Sequence, residues 1–233
     1  GKSTLAQAVQ ILLRVQYAKQ AVIFSLDDFY LTGAERQQLG EQIHPLLKTR
    51  GAPGTHDLES MQRALTALRA GGPAELPIFD KSRDDRAGIT RAITKVDMII
   101  CEGWCWGARP QELESLKVPI NGLEDEKDKD GYWRHYVNHR LEDYQSLFGQ
   151  DFSVFLQVPS LEHVFLWRWQ QEQDLARRLG SVQTMSKSQV REFIQFYERL
   201  TRWMLEDMPA RSDLTVILDK KHGIEDVTLL GDK

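Results

Sequence analysis

The chain has 233 residues, 41% of them hydrophobic and 27% charged, with a formal net charge of −4, enough for one substantial core and read here as a single domain over residues 1–233. The mildly acidic balance argues against a general nucleic-acid binder, which needs a basic face, and no apolar run reaches the length of a membrane span. Two cysteines, Cys101 and Cys105, are too few for a disulfide framework and point to a reduced, cytoplasmic setting.

The chain opens Gly1-Lys2-Ser3-Thr4, the last four residues of the phosphate-binding pattern G-x-x-x-x-G-K-[ST]. In such a loop, backbone N–H groups at a helix N-terminus hold the phosphates, the lysine reaches the β/γ oxygens and the next hydroxyl ligates Mg²⁺. Gly1, Lys2, Ser3 and Thr4 are therefore the expected nucleotide-binding residues, with Lys2 also catalytic and Ser3 a metal ligand, for ATP and Mg²⁺. The earlier half of the loop and the strand before it are expected upstream of residue 1, so the domain reads as N-terminally truncated. Leu5, Val9, Leu12, Leu13 and Val15 recur with helical spacing, as they should after a phosphate loop.

Residues 21–26 form the first apolar run, read as a buried parallel strand that opens into Asp27-Asp28-Phe29-Tyr30. Phosphoryl transfer to a hydroxyl needs a carboxylate to orient the acceptor and take its proton, which one aspartate can do; the plain alternative is that the pair caps the next turn. Residues 50–57 and 77–86 are read as polar loops suited to an anionic, hydroxylated small substrate, or simply as solvated connections. They supply Arg50, His56, Asp57, Asp80, Lys81 and Arg86 as candidate substrate contacts, beside Asp28 and Tyr30; His56 could also be a pH-sensitive base, though a loop histidine is more often only a hydrogen-bonding residue. A helix is expected between them over 58–70, stopped by Gly71-Gly72-Pro73.

Residues 96–101 form the next strand, and Glu102 directly after it has the position of an acidic residue that holds Mg²⁺ or its waters. Trp104 is a candidate pocket wall, though an aromatic there more often packs the core. Helices follow over 132–148, 163–179 and 187–208, with strands at 152–158 and 214–218; the charged stretch 124–130 reads as solvated. Arg168, Arg177 and Arg178 lie on a helical hairpin that could close over phosphates as a lid around 163–208, or form an ordinary salt-bridged surface helix. Strands alternating with helices imply an α/β fold, a parallel sheet with helices on both faces and ligands at the carboxyl ends of the strands.

Five segments carry a family resemblance: Ser25-Leu26-Asp27-Asp28-Phe29-Tyr30-Leu31-Thr32, Arg50-Gly51 to Gly54-Thr55-His56-Asp57-Leu58, Pro77 to Asp80-Lys81-Ser82, Glu102-Gly103-Trp104, and Trp167-Arg168 with Gln170-Gln171-Glu172. Through them nearly the whole chain resembles the glycerate 3-kinase family of plants, its fungal ATP-dependent relatives and similar bacterial proteins. More distantly it is similar to the uridine kinase and phosphoribulokinase group, whose Asp-Ser-Phe-Tyr motif matches Asp27-Asp28-Phe29-Tyr30. The resemblance implies a P-loop NTPase kinase fold, Asp27 as the catalytic carboxylate, and D-glycerate as the best single acceptor. Lys81 replaces a residue that is not basic in uridine kinases, which fits an acceptor bearing a carboxylate. A sheet order 2-3-1-4-5 is implied, with the upstream strand at its centre between the Glu102 strand and the 152–158 strand. Without that strand, these residues alone are expected to bind ATP poorly and to be unstable. A different acceptor (nucleoside, pantothenate or sugar phosphate) would be told apart by turnover of a substrate panel. A non-catalytic nucleotide-binding protein would bind ATP and transfer nothing.

Overall fold

The computed structural model describes residues 1–179 and 184–231, the side chains of 178 and 179 excepted. It divides into two compact units, one of Gly1–Leu113 and Tyr132–Gly149, the other of Glu114–Gly131 and Gln150–Lys233.

The first unit begins with helix α1 (Lys2–Tyr17), capped by Gly1 and ended where Ala18 turns left-handed at φ 51. Strand β1 (Ala21–Ser25) buries Val22 and Phe24 in alternation, then passes through a 3-10 turn, Leu26–Phe29, into helix α2 (Gly33–Gln42). Thr32 and Glu35 close a reciprocal capping box on α2, satisfying donors that the first turn leaves open. Helix α3 (Leu58–Arg69) is capped by Asp57 and buries Met61, Ala64, Leu65 and Leu68, one stripe of a 3.6-residue repeat. Strands β2 (Ala74–Asp80) and β3 (Asp85–Ile93) form an antiparallel hairpin, and β4 (Met98–Glu102) pairs in parallel with β1. Helix α4 (Gly122–Lys127) belongs to the second unit, after which α5 (Tyr132–Tyr144) returns to the first. The core gathers Phe24 and Phe29, stacked at 4.7 Å, with Leu26, Leu47, Met61, Leu65 and Tyr144.

In the second unit β5 (Val154–Gln157) runs parallel to β6 (Leu214–Leu218), and β7 (Ile224–Leu229) adds an antiparallel edge. Helices α6 (Leu161–Leu179) and α7 (Lys187–Asp207) pack together, with the Arg191 guanidinium 3.9 Å from the centroid of the Phe165 ring. Glu124, fully buried on α4, takes a two-pronged hydrogen bond from Arg199 of α7 at 2.8 and 2.6 Å.

All four expected strands form, within two residues of their anticipated bounds, and they pair in parallel as β1–β4 and β5–β6. Residues 77–86 correct the loop reading: they are the end of β2, a tight turn and the start of β3. Most of β3 is solvent-exposed, so it lacks the apolar run that marks a buried strand, and Pro77 sits beside a ladder irregularity between Pro77 and Phe79. Ladder hydrogen bonding, not side-chain burial, makes this element. Strand β7 lacks a buried-strand pattern for the same reason, being mostly exposed. Helix α5 stops at Tyr144, short of the anticipated 148, and continues as a turn. Among the described residues no helix is long and apolar enough to cross a membrane.

Candidate active site

The parallel register of β1 and β4 sets Ser25 beside Glu102 at the carboxyl ends of both strands. The Ser25 hydroxyl donates to Glu102 Oε1 at 2.9 Å, and the Ser3 hydroxyl, from the first turn of α1, donates to the same oxygen at 2.8 Å. Two segments 99 residues apart in the chain thus meet at one carboxylate oxygen. The strand exits lie so close that a Cβ on Gly103 would fall 2.6 Å from Leu26 Cβ, which only glycine allows. A hydroxyl and a carboxylate converging in this way suit a hard cation that takes oxygen ligands. Among the described residues there is no group of three or more His, Cys, Asp or Glu that could hold a metal ion.

The 3-10 turn after β1 carries Asp27 and Asp28. Asp27 Oδ1 accepts from the Tyr30 hydroxyl at 2.7 Å and Oδ2 from Lys81 Nζ at 2.6 Å. Burial pushes the Asp27 carboxyl up, but the Lys81 ammonium and its hydrogen bond, the Tyr30 hydroxyl and the Lys2 charge outweigh it and hold the group below its usual range. Burial prevails at Asp28, whose carboxyl is raised despite the Arg91 charge and a Phe79 N–H, with Asp27 and Glu102 adding like charge. The two neighbours are driven in opposite directions. Lys2 and Thr4 are exposed in the first turn of α1.

Lys81 is presented by the tight turn of the β2–β3 hairpin, and that turn is tied down. Asp84, left-handed at φ 53, accepts from Arg36 of α2, whose guanidinium also reaches the Leu31 and Lys48 carbonyls at 3.1 and 3.0 Å. Arg50 closes a second ion pair on Asp84 and lies over the Tyr30 and Phe79 rings. Arg86 donates to the Tyr30 carbonyl at 3.0 Å and to Asp57 at 2.8 Å, and Asp80 accepts from the Ser82 N–H and hydroxyl. Of the anticipated substrate contacts, Arg50, Asp57, Asp80 and Arg86 thus brace the loops, leaving Lys81 beside Asp27. Arg36 and Asp84 are essential to this bracing and were not singled out in the sequence, because a helix arginine and a turn aspartate carry no local signal of being partners.

His56 requires a correction. Residues 51–56 are buried, and the strip runs antiparallel beside residues 29–31, with Leu31 N–H to Thr55 O at 2.9 Å and Asp57 N–H to Phe29 O at 2.8 Å. The His56 ring stacks on Tyr30 at 4.7 Å, and its Nδ1 meets the Tyr144 hydroxyl at 2.7 Å. Burial drives its pKa down to about 3, against the Asp27 charge, so it is a buried neutral imidazole and not a pH-sensitive base. The polar character that marked this strip as a loop serves its own backbone: the Thr55 hydroxyl accepts from Gly51 N–H and donates to Ala52 O.

Trp104 is half-buried in the turn after β4, while Trp106 packs on Phe24 and Phe148. Cys101 and Cys105 are free thiols, each pushed up to about 12 by burial. Arg168 and Arg177, in the second unit, pair with Glu172 and Asp174 of their own helix, the pattern of a salt-bridged helix. The Arg178 side chain lies outside the described residues.

No family model matches the chain. It is 35% identical over 210 residues to the uncharacterized kinase mug58 of Schizosaccharomyces pombe, covering 84% of this chain and 74% of that protein. It is 30% identical to the probable ATP-dependent kinase TDA10 of Saccharomyces cerevisiae, over 97% of this chain and 81% of the relative. Among solved structures, the D-glycerate 3-kinase of Cryptococcus neoformans var. grubii superposes with a TM-score of 0.83 at 28% identity, over 98% of this chain and 86% of that one.

Proposed function

We propose, for a chain that belongs to the same family of P-loop kinases as these two yeast kinases and D-glycerate 3-kinase, that it transfers the γ-phosphoryl group of Mg·ATP to a hydroxyl of D-glycerate. Membership makes it an ATP-dependent phosphotransferase acting on a small-molecule hydroxyl. The acceptor, the metal and the residue roles are our reading.

The observation that carries the reading is Asp27, an ionised carboxylate at a strand end with Lys81 on one oxygen and the Lys2 charge near enough to influence it. Lys2 and the amides of Gly1 to Thr4 hold the phosphates. Ser3 and Glu102 would hold Mg²⁺, which when bound offsets the charge of the phosphates. Asp27 orients the acceptor hydroxyl and takes its proton as that oxygen bonds to the γ-phosphorus and the bond to the ADP oxygen breaks. Lys81 supplies the cation for the carboxylate of glycerate, a match that a nucleoside lacks.

Purified full-length protein with Mg·ATP and D-glycerate should form phosphoglycerate. Asp27→Ala should lower kcat by about 10²–10⁴-fold, the usual contribution of a general base, with ATP binding retained. An Asp27→Ala variant keeping most of the activity would refute the role, and preferential turnover of another acceptor in a panel would refute the substrate.

A further inference from the structure

Both oxygens of the Asp27 carboxylate carry a donor, and the two donors differ in freedom. Tyr30 is only 7% exposed, stacked on His56 and set edge-on to Phe79, so its hydroxyl is held on Oδ1 by packing. Lys81 is the movable partner: its side chain is 61% exposed and reaches Oδ2 from the tight turn of the hairpin. The turn beneath it is fixed by Asp84 between Arg36 and Arg50, so displacement of the ammonium is a side-chain motion that leaves the backbone in place.

We propose that Lys81 covers the base in the resting protein and is drawn off it by the acceptor's own carboxylate, so that only an anionic acceptor uncovers Asp27. The inference rests on the phosphotransfer reading above and adds where selectivity arises. An anionic acceptor gives Lys81 a replacement partner, so the exchange trades one ion pair for another. A neutral acceptor must break the Lys81–Asp27 pair with nothing in return, or react at a carboxylate whose Oδ2 is occupied. Once Oδ2 is bare, the proton of the acceptor hydroxyl passes to it while the new O–P bond forms and ADP leaves with the electrons of the broken bond. Lys81 then selects among acceptors twice, as a cation for the carboxylate and as a cover that a neutral molecule does not displace.

The experiment compares D-glycerate with glyceramide, its neutral counterpart, in wild type, Lys81→Met and Lys81→Arg. Wild type should prefer glycerate by roughly tenfold or more in kcat/KM, Lys81→Arg should keep that preference, and Lys81→Met should lose about tenfold on glycerate. The decisive result is a crossover: Lys81→Met should phosphorylate glyceramide several-fold faster than wild type does, because Asp27 is uncovered. Glyceramide turnover at or below the wild-type level, in a Lys81→Met protein that melts as wild type does, overturns the exchange alone. Failure of wild type to phosphorylate glycerate overturns the acceptor reading and the exchange together.

Discussion

Asp27 and Asp28 are adjacent residues of one type whose environments send their protons in opposite directions, Asp27 through paired cations and Asp28 through burial. That both stood at a strand exit was readable from an apolar run ending in carboxylates; which one meets a cation was not, because Lys81 lies 54 residues away. The burial of His56 is illegible for a related reason: a Gly/Pro-rich polar segment looks the same in sequence whether it is solvated or folded under a neighbouring strand. Its burial has a pH consequence. The imidazole pKa falls from 6.5 to about 3, so between those values the unfolded chain binds a proton that the folded chain refuses. Stability is then complete above the unfolded value and declines as pH falls through the window, by up to about 1.4 kcal/mol per pH unit. Urea midpoints measured from pH 7 to 4 should show this slope in wild type and a flatter one in His56→Gln; an unchanged slope in the variant would assign the effect elsewhere.

On the proposed reading the β2–β3 hairpin is the element that selects the acceptor, and its sequence disguises it. Residues 88–92 of β3 are exposed on both faces and Pro77 of β2 sits at the ladder irregularity, so these residues read as loop until the backbone ladder is seen. Its turn is braced from outside by Arg36 and Arg50 on Asp84 and by Asp85 on the Gly33 N–H. On the same reading Asp84 is a positioning residue, fixing the turn from which Lys81 reaches Asp27. Asp84→Asn, which tolerates the left-handed backbone, weakens both ion pairs and should raise the KM for the acceptor by about tenfold while leaving the KM for ATP within about twofold. Parallel loss in both constants would mean that the variant disturbs the fold as a whole.

At the scale of the molecule, the chain crosses between its two units three times: it leaves the first after Leu113, returns at Tyr132 and leaves again after Gly149. The segment Glu114–Gly131 is held within the second unit by Glu124, which is fully buried against Arg199 and paired through both oxygens, while Arg199 also reaches the Ser115 and Val118 carbonyls. Removing one member of such a pair leaves the other charge buried alone. Glu124→Gln should cost about 3 kcal/mol of unfolding free energy in urea titration, and a cost below about 1 kcal/mol would show the pair to be solvent-relaxed. In sequence, residues 124–130 read as a solvated charge run, since a carboxylate's burial depends on a cation 75 residues away. What the sequence determined by itself was the α/β alternation, the four parallel-type strands and the polar residues at their ends, because local periodicity and strand-end chemistry are properties of neighbouring residues. Tertiary structure alone decided which carboxylate is paired, which histidine is buried and which polar stretch is a hairpin, because desolvation, ion pairing and ladder hydrogen bonds join residues that are distant in the chain.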